Sequence, residues 1–304
     1  MRTDEEVWKF LNEHLNEKLL PIESYRKQKT PLIKVGAIIT VILIVLSFIA
    51  AFIHPTLCGV LVVATFIAVA ATGEYLGTVN KKLRIYFKTH ILKSLLDYLF
   101  EDCTYIPLQR ISRSTLEKSL LIAGTVERVD GEDYMRFKIG ETAIHFCETM
   151  AYSHSQNTPI FTGIFLSAQF NKSFTSQTVV VPRKLKNKGR FLLSNLKKVE
   201  LEDPDFKNTF LVYSTDQIES RYILSTAMMK RLLDYRNKTG KDISFSFTGN
   251  LLHCAIPNFV NLFEPALFSS FLETEYLQKS LAALRLYTGI VEDLNLNLRI
   301  WNKN

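Results

Sequence analysis

Glu202, Asp203 and Asp205 fall within four consecutive positions of this chain, and carboxylate oxygens are what a hard divalent cation selects. The same residues have a structural use, because Asp203-Pro204 starts turns and acidic loops stay solvated. A second set comprises His145 with Cys147, which share a face of any strand, and His253 with Cys254, which point to opposite faces. At most three of these four groups converge if the two strands are neighbours, one short of a closed tetrahedral zinc site. Buried apolar cysteine is the competing reading. Asp216, Glu219 and Arg221 make a third set. Asp216 and Glu219 have capping-box spacing, and Arg221 beside them would hold an anion or make local ion pairs.

The sequence contains no G-x-S-x-G elbow, P-loop, H-E-x-x-H pair or G-x-G-x-x-G turn, so no reaction and no cofactor is expected from motifs. A distributed site remains as the alternative: a membrane-tethered, metal-assisted hydrolase with His145, His253 and the carboxylates near Glu202 in one cleft. Convergence of His145 with Glu202, Asp203 and Asp205 is what that reading requires.

A basic stretch, Arg183, Lys184, Lys186, Lys188, Arg190, Lys197 and Lys198, runs without an acidic residue from 183 to 199. Contact with anionic lipid headgroups would be worth about 1 kcal/mol per basic residue close to a membrane. A solvated, partly packed loop is the plainer reading, since Phe191, Leu192, Leu193 and Leu196 interrupt the run. Nucleic acid is not an expected partner, because no recognition helix or aromatic RNA-binding motif accompanies it.

The elements that position these residues begin with two apolar runs, 35–53 and 55–73, with no charge between Lys34 and Glu74. Each run of 19 residues reaches about 28 Å as a helix, close to the roughly 30 Å hydrocarbon thickness. His54-Pro55 is the turn of a membrane hairpin. Arg26, Lys27, Lys29 and Lys34 precede it and Lys81, Lys82, Arg84 and Lys88 follow it, so both termini are expected in the cytoplasm. A buried hairpin in a soluble core is the competing reading. The first 30 residues carry Asp4, Glu5, Glu6, Glu13 and Glu17 and do not read as a signal peptide. A channel or transporter would place polar groups along the spans, which lack charge.

The formal charge of +7 divides unevenly: residues 1–100 hold 12 basic and 8 acidic groups, and 101–304 hold 25 and 22. A membrane-surface role explains that excess better than nucleic-acid binding. Four scattered cysteines predict no disulfide and a reducing compartment. Thr3 and Glu6 form a capping box ahead of a stripe Val7, Leu11, Leu15, Leu19. The expected partner of that stripe is Leu83, Phe87, Ile91, Leu95 and Tyr98 or Leu99, together a membrane-proximal stalk.

The organisation expected is a cytoplasmic amphipathic helix and basic flank (1–34), the two spans, a membrane-proximal helix (74–104) and a cytoplasmic α+β domain (105–304). In that domain, 114–121 reads as a short helix, and 133–139, 142–152, 160–170 and 177–182 read as four consecutive antiparallel strands. Residues 218, 222, 225, 229 and 232 follow one helical face. Strands at 243–247 and 252–256 flank the tight turn Thr248-Gly249-Asn250. Pro265 suits the start of a long final helix carrying Leu267, Phe271, Leu277, Leu281, Leu284 and Val291. The antiparallel sheet is expected to be curved, even barrel-like.

The segment from Leu201 to Leu233, LEDPDFKNTFLVYSTDQIESRYILSTAMMKRLL, resembles the signature of a bacterial family of two-span membrane proteins with a conserved cytoplasmic region of unknown function. Gly131-Glu132-Asp133-Tyr134, Phe161-Thr162-Gly163-Ile164-Phe165, Phe170-Asn171-Lys172, Phe263-Glu264-Pro265 and the ending from Leu294 to Trp301 are similar to that family as well. The resemblance implies an inner-membrane location and brings no activity. Family members tend to read Ala-Arg-Tyr-Ile-Leu-Thr-Pro where this chain has Ser220 to Thr226, so the helix there is expected to start or bend differently. The expectation is a non-enzymatic module that binds a protein partner, a lipid, anionic lipid included, or a small ligand at the membrane surface.

Overall fold

The computed structural model describes residues 2–122, 124–153, 158–170, 173–185, 195–273, 275–294 and 296. They form two compact units, one of residues 2–95 with 263–278 and the other of 96–262 with the chain from 279 onward.

The first unit is helical. Thr3 caps α1 (Asp4–Phe10) through the expected box, its hydroxyl accepting the Glu6 N–H while the Glu6 carboxylate accepts the Thr3 N–H. A π-helical turn, Leu11–Leu15, leads into α2 (Asn16–Ile53), and α3 (Pro55–Tyr86) ends in a second π-helical turn, Phe87–Leu92. The apolar stripes explain both turns. A four-residue step rotates about 40° past a full turn of an α-helix. Val7, Leu11, Leu15 and Leu19, or Leu83, Phe87, Ile91 and Leu95, would therefore drift off one face. The wider π turn takes up that drift, and all eight residues are buried. Lys18 donates to Ser94 Oγ at 2.8 Å and Tyr86 Oη to the Lys18 carbonyl at 3.4 Å, so the two arms pack antiparallel.

At the tip, Pro55 forces His54 into extended backbone (φ −153°, ψ 110°) and itself occupies the first turn of α3. Small groups line the seam between α2 and α3: Ser47 Oγ lies 3.4 Å from Thr65 Oγ1, Ala50 is buried, and a Cβ on Gly36 would sit 2.8 Å from Thr72 Oγ1. The large apolar side chains face outward, Phe52 at 78 % exposure and Phe66 at 72 %. Both helices are long and apolar enough to cross a membrane.

The second unit holds a fully antiparallel sheet. Its described strands are β1 (Glu101–Ile106), β2 (Arg128–Ile139), β3 (Thr142–Tyr152), β4 (Phe161–Gln169), β5 (Gln177–Pro182), β6 (Lys197–Val199), β7 (Phe210–Ser214), β8 (Ser244–Thr248) and β9 (Leu251–Pro257). Their spatial order is β1-β2-β3-β4-β9-β8-β5-β7-β6. The α+β class holds, but the sheet is open, with β1 and β6 as edges, and is not a barrel. The meander expected from 133 to 182 breaks after β4, because the β8–β9 hairpin inserts between β4 and β5. That hairpin is the one read from Thr248-Gly249-Asn250, with Gly249 left-handed at φ +60°.

One sheet face packs on the segment containing α4 (Arg113–Lys118). Ile111, Leu116, Leu121 and Val126 join Val129, Cys147, Ala151, Phe165, Val179, Val181, Leu211 and Ala255 there. On the other face Phe245 meets Tyr235 of α5 (Thr226–Thr239), whose hydroxyl donates to the Tyr287 carbonyl at 3.0 Å. The final helix differs from expectation. It starts at Glu275 (α6, Glu275–Thr288), breaks at Gly289, and resumes as Ile290–Asp293. Leu267 and Phe271 are buried in the preceding turns instead; Pro265 starts no helix.

The face read through 218–232 is also two helices. A short helix, Gln217–Ile223, ends before Ser225, whose hydroxyl accepts the Met228 N–H and caps α5. Thr226 occupies the first helical position, the place a proline takes without loss. The absence of a proline at this position therefore leaves the break intact. Met229 and Leu232 are buried, whereas Ile218 is 82 % exposed and Tyr222 55 %.

Candidate functional site

The polar groups of the second unit gather in two places on the sheet, and neither is the acidic set nearest Glu202. In β2 a bulge between Glu132 and Met135 turns Asp133 into the left-handed region (φ +58°). Gly131 permits it: a Cβ there would lie 2.2 Å from the Glu148 carbonyl oxygen. The bulge brings carboxylate oxygens of Glu132, Asp133 and Glu148 within 4.8 Å of one another. Asp133 is fully buried and accepts a hydrogen bond from the Tyr105 hydroxyl. Glu148 accepts the Leu262 N–H at 2.8 Å. Burial and the Asp133 charge push the Tyr105 hydroxyl far above the usual phenol range. These partners tie β1, β2, β3 and the chain after β9 together, so the carboxylates act as hydrogen-bond acceptors that fix the bulge.

The second place is a row across five strands. Register aligns Arg136, His145, Ser167, His253 and Ser246 on one face. Tyr134 Oη and His145 Nδ1 are hydrogen-bonded at 2.8 Å, and His253 stacks on Phe165 at 5.7 Å. His253 is 5 % exposed, and its Nδ1 has no partner among the described residues. Burial, with His145 nearby, lowers the His253 pKa to about 4, and burial next to Arg136 lowers that of His145. Both imidazoles are therefore held toward the neutral form. The structure gives Ser167 no hydrogen bond to either ring, so the nucleophile–base contact that acyl transfer requires is not formed.

The sequence-derived candidates fall elsewhere. His145 and Cys147 do share a face, but β4 separates β3 from β9. His145, Cys147 and His253 do not form a metal-competent group among the described residues, where Glu132, Asp133 and Glu148 are the one such group. Burial pushes the Cys147 thiol up to about 12 and Cys254 higher than the ordinary thiol, so both are inert core groups. Asp203 caps the helical turn Pro204–Thr209 by accepting the Phe206 N–H at 2.8 Å; Glu202 and Asp205 are exposed beside it.

Asp216 accepts the N–H groups of Ile218 and Glu219, as capping predicts. Glu219 does not close the box. Its carboxylate accepts the Thr175 N–H at 3.2 Å, the Thr175 hydroxyl at 3.0 Å and the Ser176 N–H at 2.5 Å, pinning the helix to the entry of β5. Arg221 is exposed and makes no ion pair with a described residue. In the basic stretch, Arg183 donates to the Lys207 carbonyl, Lys184 pairs with Asp242 at 3.7 Å, and Lys198 pairs with Glu200. Lys197 is exposed on β6. Lys186, Lys188 and Arg190 lie outside the described residues.

Sequence reasoning missed Glu132, Asp133 and Glu148 as a group, and Ser167 and Ser246 as members of the histidine row. Gly131-Glu132-Asp133 was visible as part of a family-like segment, and it takes strand pairing to bring Glu148 to it.

Comparison with known proteins adds a family match and little chemistry. Residues 159–296 match the family described as "Protein of unknown function (DUF3137)". No curated protein sequence matches the chain. Among solved structures, the chain is similar to the crystal structure of the mycobacterial trehalose monomycolate transport factor A, TtfA, at 11 % identity. The match covers 63 % of this chain and 88 % of that one with a TM-score of 0.36, a likeness too distant to carry an argument about ligand or mechanism.

Proposed function

We propose that this chain is a bacterial inner-membrane protein, anchored by residues 35–53 and 55–73 with both termini in the cytoplasm, whose α+β unit is a binding or scaffold module without enzymatic activity. The observation that carries the reading is the inside-out packing of the hairpin. Small residues, Gly36, Ser47, Ala50 and Thr65, meet in the seam, while Phe48, Phe52, Phe66 and Ile67 point outward at 65–78 % exposure. Lipid tails are as apolar as leucine, so spans associate through close packing and small-residue hydrogen bonds. Water would penalise the same arrangement heavily.

The orientation rests on the basic residues at both cytoplasmic flanks, and the binding role on the absence of a recognisable catalytic motif from the sequence. The module's ligand is a protein partner or an anionic lipid. The alternative of a tethered hydrolase draws no support from His145, Glu202, Asp203 and Asp205, which do not assemble a metal-competent group among the described residues.

Reporter fusions at each terminus test the topology: both should be active as cytoplasmic reporters and silent as periplasmic ones. A periplasmic signal from either end overturns it. Crosslinking in native membranes followed by pull-down of the full chain then asks for the partner.

A further inference from the structure

Between the two arms of the helical unit lies a groove of about 250 Å³ lined by Pro21, Ile22, Tyr25, Lys82, Leu83 and Tyr86. Its origin is local. Pro21, inside α2, has no N–H for the carbonyl one turn earlier and crowds it, while on the facing arm the π-helical turn begins at Phe87, just after Tyr86. Two departures from α geometry at one level leave room between helices that pack closely elsewhere.

The lining is apolar and aromatic, and its rim is cationic. Lys82 is exposed and has no carboxylate partner among the described residues; Lys29 sits 5.8 Å from the centre of the Tyr25 ring. We infer that this groove binds one acyl chain of a fatty-acid-class amphiphile, its tail against Ile22, Leu83 and the two tyrosines and its anionic head on Lys82.

Three observations favour that occupant. The walls offer apolar surface but few polar groups to orient a compact polar ligand. The unpaired ammonium complements a single negative head. The volume falls below the roughly 300–1,000 Å³ of sites that enclose whole drug-sized ligands, so the open groove takes up part of one chain and has no room for two. The location also fits: nine residues separate Lys82 from the end of the second apolar run, about 14 Å of helix. That is a short distance beyond a headgroup layer about 5–8 Å deep.

The inference rests on the membrane-anchored reading, and the experiment separates the two. The full chain, in nanodiscs of zwitterionic lipid, is photolabelled with a palmitate carrying a diazirine in its chain, and the labelled peptides are mapped by mass spectrometry. Labelling is expected at residues 21–25 and 82–86, in addition to the spans. It should fall at least fivefold there, and not in the spans, in Lys82→Glu, with recovery in Lys82→Arg. Circular dichroism checks that both variants keep their helices. A palmitamide analogue, which lacks the charge, should label the groove at least fivefold less. Labelling confined to 35–73, or groove labelling indifferent to Lys82→Glu and to the amide, would overturn the acyl-chain site while leaving the anchor in place. Failure of the chain to insert into nanodiscs would overturn the anchor, and the inference with it.

Discussion

The Glu23 carboxylate accepts the Phe271 backbone N–H at 3.0 Å across 248 residues of chain. The same side chain, 2 % exposed, also accepts from Ser270 Oγ at 3.2 Å and from Arg26 at 2.9 and 2.7 Å. It thereby fastens the segment 263–278 to α2 within the helical unit, where Phe271 stacks on Phe87 and Arg84 pairs with Glu264. Glu23→Ala leaves the part-buried Arg26 guanidinium and a backbone donor uncompensated. The expected loss is about 3–5 kcal/mol, read as a lower unfolding midpoint and faster amide exchange in 263–278. Unchanged exchange in that segment would show that the carboxylate does not hold it.

Acid should loosen the two units in different pH windows. The Arg26 guanidinium, first among its partners, holds Glu23 at about 2, below the ordinary glutamate value of 4.5. A carboxylate with a depressed folded pKa stabilises above its unfolded pKa and loses that contribution as pH falls through the folded one. The Glu23 contribution, at most about 3 kcal/mol, is therefore complete above pH 4.5 and lost toward pH 2. His253 is buried as the neutral ring, with its pKa lowered from 6.5 to about 4. Its contribution is present above pH 6.5 and is lost as pH falls toward 4. Amide exchange should detect weakening of β4, β8 and β9 between pH 6.5 and 4, before 263–278 responds, and His253→Phe should reduce that earlier step to the part that His145 contributes.

Thiol reactivity should divide the cysteines by burial. Cys147 and Cys254 are fully buried with raised pKa values, whereas Cys103 is half-buried. Because the thiolate is the reactive species, N-ethylmaleimide at pH 7.5 should modify Cys103 in the native protein and reach Cys147 and Cys254 only on unfolding. Intact mass with peptide mapping gives the count. Rapid native modification of Cys147 would contradict its placement under the Glu132–Glu148 bulge.

Gly131 and Gly163 are close-approach glycines. A Cβ would meet the Glu148 carbonyl oxygen at 2.2 Å and the Ile256 carbonyl oxygen at 2.1 Å, both rigid strand backbone. Gly131→Ala or Gly163→Ala should each cost about 2–4 kcal/mol, whereas Gly73→Ala, with open space around it, should be nearly neutral in the same denaturation assay.

Asp203 separates the two uses read from its sequence. As a helix cap, Asp203→Ala should cost about 1 kcal/mol, and calorimetric titration of the full protein with Ca²⁺, Mg²⁺ or Mn²⁺ should be identical before and after the change. A cation-binding heat abolished by the variant would support the metal reading of Glu202, Asp203 and Asp205.

Local order was legible in the residues themselves. The Thr3–Glu6 box, the His54-Pro55 turn, the β8–β9 hairpin and the two four-residue stripes are encoded over short spans, by side chains acting on their own backbone or recurring on one helical face. What escaped depends on which distant segments become neighbours. Leu267 and Phe271 have helical spacing with Leu277 and Leu281, yet both lie outside the helix, and Phe271 is held there by Glu23 and Phe87 from the far end of the chain. Glu219 was read as the back half of a cap, but Thr175 and Ser176 offer it three donors from a strand entry 43 and 44 residues away.

The sequence by itself determined the helix boundaries at the hairpin tip, the apolar content of its arms and the alternation of the strands, since each follows from dihedral preference and periodicity along a few turns or residues. Only the tertiary structure decided that β8 and β9 enter between β4 and β5, that Glu132, Asp133 and Glu148 meet at a bulge, and that His145 and His253 stand on either side of Ser167. The reason is physical. Register and strand order are set by how faces bury against one another across the whole sheet, a quantity that no local window of residues contains.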